Sequence, residues 1–331
     1  MTTAQTKTEE SACRKTVSFC EVSVFLPGDI ELDSGERLSK PELTVRVYGD
    51  LTQPVVIAAG GVSAGRNVAD TAEETGWWRD FAGAGRAIDL DRFCLVGFDF
   101  LPGDGEAART ISTKDQARAL GHALDIIGVE TVEAFVGASY GGMVALCFAE
   151  LFPERIKKVV AISAPDRPNP AATAQRGVQR RIIEFAEKAG DAQAGVALAR
   201  QLAMVSYRTP EEFGTRFASA PRGGAAGDPY DICEYLVARG EAYAMKAPRY
   251  LTLSDSIDRH RADTSKIGAQ TLVIAVSSDR LSPPADLERL AGAISGGRFI
   301  QIESPYGHDA FLKEPGVIGP HISEFLKEPT S

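Results

Sequence analysis

Short runs that stay apolar at consecutive positions recur along the chain, each closed by glycine or a polar cluster: residues 54–59, 93–98, 132–136, 159–162, 271–276 and 298–302. A run apolar on both of its faces is what a strand buried in a parallel sheet looks like. Ahead of them, residues 17–26 and 43–48 are β-rich. In the second of these Leu43, Val45 and Val47 alternate onto one face, which predicts an N-terminal hairpin. Helical spacing fills several of the intervals, as in residues 114–127, where Ala117, Leu120, Ala123, Leu124 and Ile127 share a stripe, and in residues 142–151. Strand alternating with helix predicts an α/β protein with a mostly parallel, doubly wound sheet and helices on both faces.

The alternation stops between Asp166 and about Lys266. That stretch has helical periodicity at residues 178–186, 196–205 and 230–243, with proline and glycine punctuation and no convincing strand. The reading is a core in two parts, residues 17–165 and 266–331, interrupted by a helical lid at residues 166–265. Such a lid would lie over the carboxyl ends of the strands, where open α/β sheets bind ligands.

Composition narrows the class without changing this picture. With 331 residues, 44% hydrophobic and 24% charged, the chain suits one large soluble domain. A net charge of -9 argues against a nucleic-acid partner, and it requires any polyanionic ligand to find a local basic site. The five cysteines are scattered, with no C-x-x-C pair, so neither a disulfide framework nor a metal site is expected and the thiols read as reduced and cytoplasmic. Residues 1–14 lack a basic segment followed by an apolar one, and no run approaches a membrane span, so neither a secretory leader nor a membrane partner is expected.

Two stretches match G-x-S-x-G, around Ser63 and around Ser139, and in a glycine-rich chain the pattern alone decides little. Context separates them. A serine nucleophile needs a sharp turn from strand to helix, flanked by small residues. Ser139 follows the strand ending in Phe135-Val136 and precedes the apolar helix that begins at Gly141-Gly142. Ser63 is followed by Arg66-Asn67-Val68-Ala69-Asp70, which has no amphipathic pattern. The backbone amides of Ala59, after the early strand, and Tyr140, after the nucleophile, are the expected oxyanion donors.

A general base is sought among four histidines. His122 and His321 fall on predicted helices, and His260 stands in the charged run Asp258-Arg259-His260-Arg261, which reads as a solvated face. His308 remains, in a loop after the last strand. The acid should lie between Ser139 and His308 at a strand end, and Asp279 does, whereas Asp286 belongs to the next helix. A helix cap, or a surface contact with Arg280, is the other reading of Asp279.

The stretches Ser278-Asp279-Arg280-Leu281 with Pro283-Pro284, Ser304-Pro305-Tyr306-Gly307-His308-Asp309-Ala310-Phe311, and Gly76-Trp77-Trp78 leading to Ile88-Asp89 together resemble the homoserine O-acyltransferase family of the α/β-hydrolase fold. Ser139 to Met143, Val178-Gln179-Arg180, and Ala199-Arg200 with Tyr207-Arg208 add to the likeness, which covers nearly the whole chain from about Val17. The resemblance implies a ping-pong reaction in which Ser139 takes an acyl group from acetyl-CoA or succinyl-CoA and the hydroxyl of L-homoserine removes it. It implies no permanently bound cofactor and no metal, a homodimer, and an amino-acid acceptor held by Arg200, Tyr207 and Asp309. The residues speak for Arg200 independently, since it interrupts an apolar helical run and needs an anion, either a substrate carboxylate or an internal acid. The chain departs from the family in a short segment, Pro102-Gly103-Asp104-Gly105, and in Ala138 and Tyr140 beside the nucleophile. Serine as acceptor, or water in a serine hydrolase, are the competing readings of the same triad.

Overall fold

The structure, a computed structural model, describes residues 18–25, 29–39, 41–225 and 227–329. Cys13, residues 1–14, Val17 and Leu26 lie outside the described residues.

The chain enters through β1 (Phe19–Phe25), whose antiparallel partner is β4 (Glu42–Tyr48), Phe19 standing opposite Tyr48 and Phe25 opposite Glu42. The pairing is the expected one, but the connection is no tight turn: β2 (Asp29–Glu31) and β3 (Arg37–Ser39) form a small hairpin of their own between the two. After β5 (Val55–Ala59), a long loop carries the two-residue strands β6 (Ala82–Gly83) and β7 (Ile88–Asp89). Then come β8 (Cys94–Phe98), α1 (Thr113–Ile126), β9 (Val132–Ala138), α2 (Tyr140–Leu151) and β10 (Ile156–Ile162). Among the described residues the main sheet has eight strands. Its order is β1-β4-β8-β5-β9-β10, continued by β11 (Gln270–Val276) and β12 (Arg298–Ile302), and it is parallel from β8 onward.

The unbroken apolar runs have a simple cause. Successive residues of a strand face opposite sides of the sheet, and both sides are cores. Ile57 and Phe135 face the layer holding α1 and α2, whereas Val56, Ala58 and Val136 face the layer holding Trp78 and Phe325.

Between β10 and β11 lie α3 (Pro170–Lys188), α4 (Ala192–Tyr207), α5 (Pro210–Arg216), α6 (Asp231–Glu241) and α7 (Ala247–Arg259). The core closes with α8 (Pro284–Ala293), α9 (Ala310–Lys313) and α10 (Pro315–Lys327). No helix among the described residues is long and apolar enough to cross a membrane.

One expectation is overturned here. His260 is no solvated residue: it caps α7 and is fully buried. Its Nε2 donates to the Pro165 carbonyl at 3.0 Å, which leaves Nδ1 to accept from the Thr113 hydroxyl at 2.8 Å. Burial pushes the imidazole down to about 3, so it is neutral at any working pH. The charged neighbours misled because they turn outward, Arg259 to Asp255 and Arg261 to the His260 carbonyl, while the ring between them turns in. Pro165 and His260 stand at the entry and exit of the five-helix stretch. A second bond, from the Ala262 amide to the Asp166 carbonyl at 2.9 Å, joins the same two crossings.

Candidate active site

Ser139 sits where β9 ends and α2 begins, with φ 53° and ψ -121°, a conformation that L side chains adopt at a cost. Small neighbours permit it. A Cβ on Gly137 would run into the backbone of Gly141 and Gly142, and one on Gly141 would strike the Ala59 carbonyl of β5. The turn is held from both sides, by the Ser139 amide on the Ile162 carbonyl and the Gly141 amide on the Gly60 carbonyl, each at 2.8 Å. Ser63 has no such setting. It lies in the loop after β5, its hydroxyl 2.8 Å from that of Tyr243.

The carboxyl ends of β9, β11 and β12 bring the three sequence-predicted residues together. His308 Nε2 is 2.7 Å from Ser139 Oγ, and His308 Nδ1 is 2.7 Å from Asp279 Oδ2. A carboxylate only accepts, so Nδ1 carries the proton and Nε2 is free to accept from the serine hydroxyl. Asp279 is buried. Its Oδ1 accepts from the amides of Leu281 at 2.9 Å and Ser282 at 3.1 Å, which fixes the carboxylate's orientation. It thus makes a local turn ahead of α8 without capping that helix, and reaches the histidine with its other oxygen. Burial pulls the His308 imidazole down, but the charge and hydrogen bond of Asp279, with Asp309 behind them, outweigh it and hold the group above its ordinary value.

The family-like motifs turn out to be braces. Ser278 accepts from the Gly307 amide at 3.1 Å and so ties the aspartate loop to the histidine loop. Trp78 Nε1 donates to the Phe311 carbonyl behind His308, and Trp77 Nε1 to the Gly65 carbonyl, both at 2.9 Å. Gln179 accepts from the Tyr250 hydroxyl at 2.9 Å, and Arg180 pairs with Asp258 at 2.7 Å, locking α3 to α7.

Ser139 and His308 open on a cavity of about 390 Å³ between the sheet and the helical stretch. Arg200, Tyr207 and Asp309 all line it. Arg200 is half-buried rather than enclosed, because it faces this space. Its guanidinium lies 4.7 Å from the Tyr243 ring centre and 5.5 Å from that of Tyr207, and no carboxylate among the described residues pairs with it. Helix α4 persists to Tyr207, which puts both residues on one face as their spacing required. Asp309 has a resident partner that sequence reasoning missed: its Oδ2 is 3.2 Å from Arg208 Nε. The Tyr207-Arg208 pair was visible as a motif, yet nothing in the sequence said which acid Arg208 would meet.

The two expected oxyanion amides are placed differently. Tyr140 opens α2 directly behind Ser139, and first-turn amides have no partner within their own helix. Ala59 is still inside β5, in register with Gly137, and the cavity wall begins two residues later at Gly61. Among the described residues, no group of three or more His, Cys, Asp or Glu side chains could hold a metal ion.

A family model described as the alpha/beta hydrolase fold matches residues 54–315. A homoserine O-succinyltransferase of Xanthomonas campestris pv. campestris is 43% identical over 277 residues, 82% of this chain and 75% of that one. A homoserine O-acetyltransferase of Thermus thermophilus is 34% identical over 284 residues, 76% of this chain and 72% of its own. Among solved structures, homoserine O-acetyltransferase from Bacillus anthracis superposes with a TM-score of 0.85 at 17% identity, covering 96% of this chain and 99% of that one. Esterase E22 does so with 0.84 at 18%, covering 94% and 100%. The shape is therefore shared by proteins named as a homoserine O-acetyltransferase and as an esterase.

Proposed function

The chain belongs to the homoserine O-acyltransferase family of the α/β-hydrolase fold, and from that premise we propose that Ser139 takes an acyl group from an acyl-CoA and hands it to the hydroxyl of L-homoserine. His308 is the general base, and Asp279 holds its tautomer and stabilises the imidazolium. The observation that favours transfer over hydrolysis is Arg200, a cation facing the cavity of Ser139 with no carboxylate partner among the described residues. A guanidinium so placed suits the acceptor carboxylate. Asp309, steadied through Oδ2 by Arg208, suits the ammonium, and Tyr207 packs between Arg200 and His308. No permanently bound cofactor enters the reaction.

Holding the acceptor hydroxyl at the acyl carbonyl can contribute up to about 7 to 11 kcal/mol, which is what lets homoserine outcompete water. Arg200→Leu is therefore expected to leave the first burst of coenzyme A release intact and to cut its acceleration by homoserine at least about tenfold. Stopped-flow measurement of thiol release, with and without homoserine, reads both. A slowed burst with unchanged homoserine dependence would instead favour the esterase reading. Product analysis with homoserine and serine, each against acetyl-CoA and succinyl-CoA, assigns donor and acceptor.

For the oxyanion we place one donor at the Tyr140 amide and move the other from Ala59 to Gly61, whose backbone lines the cavity. The pH profile follows from the raised His308. The base must be neutral, so the acid limb of kcat/KM should lie above the ordinary histidine value of 6.5. Asp309 raises that value, so Asp309→Asn should move the limb to lower pH. A limb below pH 6.5 that ignores Asp309 would contradict this assignment.

We read residues 166–265 as the lid over this cavity, and a cytoplasmic setting fits an acyl-CoA donor. A homodimer is supported by apolar side chains left exposed on the lid, Val178 and Phe185 on α3 and Leu198 and Val205 on α4, with Phe185 77% exposed. Equilibrium sedimentation of wild type and Phe185→Asp checks this, and a monomeric wild type would end it.

A further inference from the structure

A chain of net charge -9 repels a polyanion at long range, so a nucleotide-bearing donor must be met by local cations. Two cavities flank the loop of Val62, Ser63 and Ala64. They meet at Arg200, Tyr243 and Met245. The second, of about 800 Å³, is lined by Glu42, Asp99, Asp104 and Glu106. Two of its three arginines are engaged, Arg66 with Asp99 and Glu21 and Arg249 at 3.8 Å from Asp104. The third, Arg200, stands at the junction with the first cavity, so the four carboxylates outnumber the cations. Phosphates would be unwelcome there.

The rim on the α6 side of the first cavity is the opposite. Three guanidiniums crowd one aromatic ring, Tyr235: Arg216 at 4.9 Å, Arg239 at 5.4 Å and Arg208 at 5.6 Å from its centre. Lys313 adds a fourth cation from α9, and the carboxylates within this group are Glu212 and Asp309. Glu212 is shared by Arg208, Arg216 and Lys313, so it neutralises only part of them. Arg239 pairs with no carboxylate among the described residues, stands exposed, and lines the same cavity as Ser139. The excess positive charge is felt by the ring itself. Burial pushes the Tyr235 phenol up, yet Arg239, Arg208 and Arg216 outweigh it and bring it below its ordinary value.

Resting on the reading of an acyl-CoA as donor, we infer that the nucleotide phosphates of the donor dock at this rim, with Arg239 as the contact and Arg216 and Arg208 supplying the field. The thioester arm then runs inward along the cavity to Ser139, while the acidic second cavity turns the same phosphates away. Arg239 is suited to the contact because a planar guanidinium offers phosphate two parallel donors, and because no internal acid must be given up first.

The experiment compares two donors carrying one acyl group, acyl-CoA and the corresponding acyl-pantetheine, which lacks the nucleotide. Thiol release from the first half-reaction is followed without acceptor. Wild type should prefer the CoA ester, and rising salt should erode that preference, since an exposed phosphate contact is screened. Arg239→Glu should lower kcat/KM for acyl-CoA by at least roughly tenfold, lose no more than about twofold with acyl-pantetheine, and flatten the salt dependence. Equal losses on both donors would overturn the docking site, and so would a wild type that treats the two donors alike at low salt. Neither of these results disturbs the transfer chemistry. Wild type that releases thiol from neither donor would instead bring down the acyl-transfer reading itself.

Discussion

Ser139→Ala is expected to reduce turnover by on the order of 10⁶, the loss that follows removal of a nucleophile from a serine–histidine–acid array. The size follows from the geometry. His308 Nε2 lies 2.7 Å from Ser139 Oγ and reaches no other hydroxyl among its described hydrogen bonds, so nothing stands in for the missing oxygen. The variant should fold. Ser139 makes no side-chain cap to α2, and alanine at φ 53° bears the same Cβ strain as serine. Mass spectrometry of wild type with acyl-CoA alone should place the acyl group on the peptide holding Ser139, and the variant should acquire none. Ser63→Ala, which removes a hydroxyl bonded to Tyr243, should cost far less. An adduct on Ser63 or on a cysteine would refute the assignment.

Asp279→Asn should lower turnover by about 10⁴ while leaving thermal unfolding nearly unchanged. Asp279 Oδ1 is held by two amides, from Leu281 and Ser282, and an asparagine carbonyl can accept both. Its NH₂ must then point at His308 Nδ1, where the carboxylate Oδ2 now accepts at 2.7 Å. A donor in that place forces Nδ1 to accept and puts the proton on Nε2, facing a hydroxyl that can no longer be deprotonated. Packing and backbone bonds survive, so a variant that unfolds early would show Asp279 to be a structural residue instead. One that keeps most of its activity would show that His308 does not depend on it.

The same physics explains which parts of the molecule could be read beforehand. Strands β5, β8, β9, β10 and β11 announced themselves because each is buried on both faces, and their bounds fall within a few residues of the apolar runs. Ser139 and Asp279 were legible because they follow two of those strands, β9 and β11, and His308 because it follows the half-buried edge strand β12, and the order of strand ends constrains which residues can meet. The lid was harder. Helices α5 and α7 went unseen, since the first has only seven residues and the second buries a mixed face of Tyr250, Thr252, Leu253, Ser254 and Ser256. Polar side chains that pair internally leave no periodic signal. For the same reason the burial of Glu212 among Arg208, Arg216 and Lys313, and the engagement of Asp309 by Arg208, depend on distant pairings with no local trace. Ala59 and Gly61 differ by where a strand stops, and strand ends are where apolar patterns inform least.

The bonds from His260 to Pro165 and from Ala262 to Asp166 bring the two ends of the five-helix stretch side by side. A segment whose ends meet is a closed loop to the rest of the chain: its length and contents can change at little cost to the scaffold, because the closure is made outside it. Ser139, Asp279 and His308 belong to the scaffold, and Arg200 and Tyr207 belong to the loop. On the function proposed above, acylation rests on the scaffold, and the acceptor is held partly by the loop, through Arg200 and Tyr207, and partly by the scaffold, through Asp309. On that reading an ancestor could have exchanged one five-helix stretch for another and altered part of what selects the acceptor, without having to rebuild Ser139, Asp279 and His308.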